Sequence, residues 1–255
     1  MTGIQPIDHS AGPVVIRTHD LYKSFGKNTV LRGFNLELHK GENLVVLGKS
    51  GSGKSVLIKC IVGLISIDSG SITVFGKEVS ELDQTGLDAI RVKIGFLFQS
   101  SALYDSMTVR ENLEFPLRRH GKGMSREEID RLVIEVLESV GLRHAVDLMP
   151  SELSGGMRKR IGLARTLILK PDIILYDEPT TGLDPVTGRE ISKLIVDIRQ
   201  QYGTSSIIIT HDMYCTRIVA DRILVLSDGI CHAQGNYQAL SSSEDLVVHP
   251  FFHSI

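Results

Sequence analysis

Two runs of residues carry chemistry that a polyphosphate would need. The first, Gly48-Lys49-Ser50-Gly51-Ser52-Gly53-Lys54-Ser55, has the spacing G-x-x-x-x-G-K-S and is followed by Val56. A polyphosphate needs several backbone N–H donors converging on it; glycines let the chain curl close enough to supply them, while a following helix aims its positive end at the anion. Lys54 then reaches the β and γ phosphates and Ser55 holds magnesium. Lys49 sits at a free position of the pattern and is expected to be solvated. The second run ends in Asp177 and Glu178. Asp177 suits magnesium, directly or through water, and Glu178 suits orienting and deprotonating an attacking water. Taken alone, a Gly/Ser-rich turn can bind nothing and two acids can merely end a strand. Found together in one chain, they imply the chemistry of magnesium-dependent polyphosphate hydrolysis.

The elements around these residues are the ones such a site requires. Leu44 to Leu47 is an apolar run leading into the glycine loop, and Val56, Leu57, Ile58, Cys60, Ile61 and Val62 give the loop an apolar helix on its far side. Ile173 to Tyr176 is a buried strand that delivers the two acids to its carboxyl end, where doubly wound sheets bind ligands. Further apolar strands are expected at Ser206 to Thr210 and Ile223 to Leu226. All three are too uniformly apolar to alternate faces, so the sheet is expected to be largely parallel and covered on both sides. Strands around Val14 to Thr18 and Leu31 to Leu38 are expected to form an antiparallel flap, with a short strand at Ile72 to Phe75. From about residue 87 to 166 the pattern turns mostly helical. Its clearest helix opens with the capping box Ser125/Glu128, carries Ile129, Leu132, Val133, Val136, Leu137 and Val140 on one face, and stops at Gly141. Residues 1–13 read as a flexible lead, 14–240 as a single nucleotide-binding domain and 241–255 as a tail.

Composition narrows the class. A chain of 255 residues with 42% apolar content can bury a substantial core, and no apolar run approaches the roughly 18 to 20 residues of a membrane span. No export signal is visible at the amino terminus, so cytoplasmic residence is expected. Cys60, Cys215 and Cys231 form neither a disulfide framework nor a metal pattern. A formal charge of −2 argues against a nucleic-acid partner recruited by bulk electrostatics.

A third run, Leu153-Ser154-Gly155-Gly156-Met157, separates this chain from other phosphate-loop ATPases. Ser154 offers a hydroxyl, Gly155 and Gly156 offer backbone N–H groups, and a helix expected from Arg158 to Leu169 would point its positive end at a nucleotide. On its own, Ser-Gly-Gly is more often a helix-opening turn. With the other two runs, the chain resembles the ATP-binding cassette (ABC) family, whose signature is LSGGQ or a close variant. The resemblance, from about Val14 to Gly235, implies an α/β phosphate-loop core of RecA type with an antiparallel β subdomain and an inserted helical subdomain. It implies ATP and Mg2+ as ligands. It also implies that the signature of one copy contacts the γ-phosphate on the phosphate loop of a second, so that a homodimer holds composite sites. Phe25 matches the aromatic that stacks on adenine. Gln99, closing the strand-like run Ile94 to Phe98, matches the glutamine that touches magnesium and senses the membrane partner, Leu183 and Asp184 the loop that crosses the dimer interface, and His211 the histidine that bonds the γ-phosphate.

The work of such a dimer must be done through another chain. In transporters of the family a groove beside the Gln99 loop receives a cytoplasmic helix of a membrane permease, which would place this protein peripherally on the cytoplasmic face of the inner membrane. The segment Gln99 to Leu117 supplies Ala102, Leu103, Tyr104, Met107, Val109, Leu113 and Phe115 for it, about half of them expected in internal packing. Met157, Val56 and the run SSALYDSMTVRENLEFPL resemble the ATPase of Mla-type (maintenance of lipid asymmetry) transporters, which implies phospholipid transport with an MlaE-like permease and an MCE lipid-binding subunit. The tail SSSEDLVVHPFFHSI departs from the ending of that branch. Two alternatives stay open from the residues: another ABC importer or exporter or a non-transport ABC ATPase such as an iron–sulfur assembly factor, and a nucleotide-dependent scaffold with little turnover, against which Glu178 and His211 speak.

Overall fold

The structure is a computed structural model that describes residues 12–120 and 123–253. Most of the expected lead, residues 1–11, lies outside the described residues. Gly12 and Pro13 are tied down, the Pro13 carbonyl accepting from the Lys40 amide at 2.9 Å.

In chain order the elements are β1 (Val14–Phe25), β2 (Asn28–His39), β3 (Asn43–Leu47), α1 (Lys54–Ile61), β4 (Ser69–Val74), β5 (Lys77–Glu78), α2 (Gln84–Val92), β6 (Ile94–Leu97), α3 (Val109–His120), α4 (Arg126–Ser139), α5 (Gly155–Leu167), β7 (Ile173–Asp177), α6 (Pro185–Tyr202), β8 (Ser205–Thr210), α7 (Met213–Val219), β9 (Arg222–Ser227), β10 (Ile230–Gly235), α8 (Tyr237–Ser241) and α9 (His249–His253). They build an antiparallel sheet ordered β2-β1-β4-β5 and a six-stranded sheet ordered β10-β9-β3-β8-β7-β6, parallel except for β10.

The central strands are buried on both faces because their residues divide between two cores. Val45, Leu47, Ile174, Tyr176 and Ile208 join one core with the apolar faces of α3 to α7. Leu44, Val46, Ile173, Leu175, Ile207 and Ile209 join another with α1 and the antiparallel sheet. A strand packed on both sides has no polar face, which is why these runs read as continuous apolar stretches.

Several boundaries differ from expectation. The flap strands run 12 residues each, because register shifts and the left-handed Asp20 (φ 45°) let β1 continue past the point where its alternation breaks. Within the mostly helical stretch, β6 falls on the strand-like run Ile94 to Phe98 that Gln99 closes, as expected, and is an edge strand pairing in parallel with β7. The signature helix starts at Gly155 rather than Arg158, since Ser154 caps it through the Met157 amide at 3.2 Å. α4 begins on the Ser125/Glu128 capping box as expected, with Gly141 in the left-handed region just past its end. The tail is packed: Val248 is fully buried, and Phe251 and Phe252 lie against the larger core.

Candidate functional site

β3 ends at Leu47 and the chain turns through the glycine loop into α1. Gly53 is in the left-handed region at φ 102°, and a Cβ there would stand 2.5 Å from Val30 Cγ1, so only glycine fits. α1 has no side-chain cap and no acidic residue in its first turn, leaving its positive end uncontested. The Ser52 hydroxyl is buried within the loop without a hydrogen-bond partner. These features fit a polyphosphate, which supplies the missing acceptors.

Lys54 is 6% exposed, and its ammonium donates to the carbonyls of Gly48 at 2.7 Å and Lys49 at 3.0 Å. Burial lowers its pKa, while Glu178 and Asp177 pull it back up. The Ser55 hydroxyl donates to Asp177 Oδ1 at 3.0 Å, so the loop and the end of β7 meet through two hard oxygens suited to magnesium. Burial raises the Asp177 pKa, and the Ser55 hydrogen bond opposes that rise. Among the described residues no cluster of three or more His, Cys, Asp or Glu could hold a metal by itself.

Glu178, the next residue, has φ 51°, a left-handed conformation in a side chain that does not favour it. Its amide donates to the Ile209 carbonyl at 2.9 Å. Its carboxylate Oε2 lies 2.9 Å from His211 Nδ1 and accepts from the Thr181 hydroxyl at 3.1 Å, while Oε1 is 4.0 Å from the Lys54 ammonium. β7 and β8 are neighbours in parallel register, which places Glu178 beside His211.

A cleft of about 540 Å³ gathers these groups: Phe25, Val30, Ser50, Gly51, Gly53, Lys54, Ser55, Val56, Gln99, Glu178, Thr181 and His211 line it. Phe25, the last residue of β1, is 48% exposed, with the Lys23 ammonium 5.3 Å from its ring centroid. Lys49 is exposed, as expected, and with Ser52 lines a neighbouring cleft of about 490 Å³ that Leu246, Val247, Pro250 and Phe251 of the tail also border.

The structure does not bring Ser154, Gly155, Gly156 or Asp184 to this cleft. Ser154 and Gly155 are exposed at the head of α5. Gly156 has a packing role that sequence reasoning did not find, since a Cβ there would stand 2.5 Å from Thr187 Cγ2. Asp184 caps α6, accepting from the amides of Val186 and Thr187 and from the Thr187 hydroxyl. We expect Gly156→Ala to destabilise the fold by about 1 to 3 kcal/mol through overpacking. Thr187→Ser, which removes the offending methyl and keeps the hydroxyl, should recover most of that in urea unfolding; no recovery would place the strain elsewhere.

Two groups beside the acids were also missed. Thr181 lies in TTGLDP, where nothing in the spacing separates it from Thr180. Lys159 lies in the basic run Arg158-Lys159-Arg160 and is only 5% exposed.

Comparison with known proteins agrees with this geometry. Residues 31–181, more than half of the chain, match the ABC transporter family. The chain is 41% identical over 240 residues to the "Probable ribonucleotide transport ATP-binding protein mkl" of Mycobacterium leprae, covering 94% of this chain and 69% of that protein. It is 38% identical over 221 residues to the "Methionine import ATP-binding protein MetN" of Brucella abortus, covering 87% of this chain and 59% of that one. Among solved structures, the ATP-binding cassette MJ0796, dimeric and bound to ADP and Pi, superposes with a TM-score of 0.79 at 33% identity over 87% of this chain and 98% of its own. CbiO1 from Clostridium perfringens, part of the cbiONQ transporter complex, gives 0.84 at 28% identity over 94% and 95%.

Proposed function

The chain belongs to the ABC transporter family as its ATP-binding, ATP-hydrolysing subunit, and from that premise we propose that two copies close around two ATP molecules to drive a separate membrane permease. The observation that carries this reading is the convergence of Lys54, Ser55, Glu178 and His211 on one cleft, with Asp177 bonded to Ser55 at its edge. Lys54 and the loop amides bind the phosphates, and Phe25 stacks on the adenine. Glu178 takes a proton from the attacking water while His211 orients its carboxylate and faces the γ-phosphate. Ser55 and Asp177, with Gln99 in the same cleft, would hold magnesium, which would supply neutralisation of phosphate charge. Ser154, Gly155 and Gly156 stand away from their own cleft, which supports a site completed by the signature of a second copy, with Leu183 and Asp184 at the interface.

No helix among the described residues is long and apolar enough to cross a membrane. We place the permease contact beside Gln99, on the cytoplasmic face of the inner membrane. Here the expected surface needs correction. Val109 and Leu113 are fully buried and Leu103 packs against the core, so a charge at Leu103 would test folding rather than docking. The exposed aromatics are Tyr104 and Phe115, with ring centroids 5.0 Å apart and the Arg165 guanidinium 5.5 Å from the Tyr104 ring centroid. Asn112 fixes the backbone beneath them, accepting from the Tyr104 amide and donating to the carbonyls of Tyr104, Met107 and Thr108. Tyr104→Ala should weaken permease binding by roughly 5- to 30-fold, as loss of an aromatic anchor does, and leave nucleotide affinity of the isolated chain unchanged. Undiminished pull-down would move the contact elsewhere.

For the cargo, the motif wording around Val56, Met157 and residues 100–117 supports a lipid, with an MlaE-like permease and an MCE subunit. The related proteins named for ribonucleotide and methionine transport support a polar solute. Purification of the chain with its membrane partners, then identification of bound lipids and transport assays in proteoliposomes with phospholipid, methionine and ribonucleotide, decides between them. A multi-span partner with bound phospholipid supports the first; uptake of either polar solute without lipid movement overturns it; a soluble partner alone overturns transport.

A further inference from the structure

Lys159 lies in α5, five positions beyond the signature serine, and does not line the nucleotide cleft. Its ammonium donates to the backbone carbonyl of Gln99, just past the end of β6, and to that of Glu178, just past the end of β7, the latter at 3.4 Å. β6 and β7 are adjacent parallel strands, so their carboxyl ends lie side by side and one cation reaches both. Packing alone does not call for such a residue. An ammonium taken out of water costs several kcal/mol unless its donors are filled, and an apolar side chain of similar length would fill the same volume without that cost.

The backbone it touches is the one most in need of support. Glu178 sits at φ 51° and holds that conformation only as far as its surroundings impose it. Its carbonyl accepts from Lys159 and from the Thr181 amide at 3.3 Å, and its amide is bonded to Ile209. We propose that Lys159 is a positioning residue for ATP hydrolysis, clamping the Gln99 turn and the Glu178 backbone to the helix that carries the signature. The clamp makes the glutamate carboxylate and the glutamine turn move with α5 as one unit. This rests on the reading of Glu178 as the base. Burial lowers the Lys159 pKa and the nearby Asp177 and Glu178 raise it, in keeping with a buried cation whose counter-charges are the site's own acids.

The test compares Lys159→Met and Lys159→Gln in the full chain, alone and with its permease, reading kcat, KM, Mg-ATP affinity and thermal midpoint. Methionine keeps the volume and removes every donor, so kcat should fall about 10- to 100-fold, the scale of a misplaced catalytic group. KM and affinity should change by less than about threefold, because the phosphates and adenine are held by other residues. Glutamine keeps an amide donor that reaches only one of the two carbonyls and should lie between methionine and wild type. A wild-type kcat in either variant overturns the proposal, and so does a parallel fall of kcat, affinity and thermal midpoint that glutamine does not relieve, since that is a packing defect. If the methionine chain does not fold, the glutamine chain decides by the same split between kcat and affinity. Glu178→Gln in the same assay keeps the two readings apart. Normal turnover there removes the base assignment, and with it the clamp as drawn; slow turnover beside a fully active Lys159→Met removes only the clamp.

Discussion

Glu178→Gln should bind Mg-ATP as the parent does and hydrolyse it about 10²- to 10⁴-fold more slowly, the range lost with a general base, which is roughly 3 to 5 kcal/mol of barrier. The geometry explains both halves of this expectation. Glutamine keeps the shape of a side chain that fits between the Thr181 hydroxyl, the His211 ring and the Lys54 ammonium. It has no lone pair basic enough to take the proton of the attacking water. Binding is spared because the phosphate loop, the first turn of α1 and Phe25 are untouched. The mutant should accumulate as an ATP-bound dimer, visible by size exclusion with nucleotide present. Turnover near normal in the complex with its permease would remove Glu178 from the catalytic role.

What the sequence disclosed and what it hid divide along a physical line. The phosphate loop was legible because its function is set by local spacing: the glycine at 53, Lys54 and Ser55 are consecutive, and the apolar run before them can only be a buried strand. The placing of Asp177 and Glu178 at the end of a buried strand was legible for the same reason. The 12-residue length of the flap strands was not, because a left-handed residue at Asp20 interrupts the alternation that marks a strand without ending the pairing. Lys159 was hidden because its partners are carbonyls on two other segments, Gln99 and Glu178, and no side-chain pattern records a carbonyl. Which of Leu103 and Tyr104 faces the core was not legible, in a segment between β6 and α3 without helical or strand period, where adjacent residues face core and solvent with nothing in the order of types to say which. Residues 241–255 were read only as a tail, yet Val248 is fully buried and Phe251 and Phe252 lie against the larger core. The signature was read as preceding a helix from Arg158, but the helix begins at Gly155 and Gly156 lies against Thr187 on α6, a neighbour that only the fold brings near.

Lys54→Ala should abolish measurable hydrolysis and weaken Mg-ATP binding by about 10- to 150-fold, the loss of roughly 1.5 to 3 kcal/mol expected when a hydrogen bond to a charged group is removed. Two effects add. The charge aimed at the β and γ oxygens disappears, and the carbonyls of Gly48 and Lys49 lose the donor that folds the loop around it. Lys54→Arg retains the charge but not the compact reach, so it should restore part of the affinity and little of the turnover. Wild-type affinity and turnover in Lys54→Ala would count against the loop as the phosphate site. The same variant tests the shared architecture when mixed with Ser154→Arg, whose added bulk and charge stand at the exposed head of α5. If loop and signature act across the interface, the mixed dimer carries one site damaged twice and one site intact. Nucleotide trapping should then appear at one site per dimer, although each parent variant alone traps none. If a covalently linked pair traps no nucleotide at all, the two motifs belong to the same site within one chain, and the distance between Ser154 and the cleft must close by rearrangement of α5 rather than by a second copy.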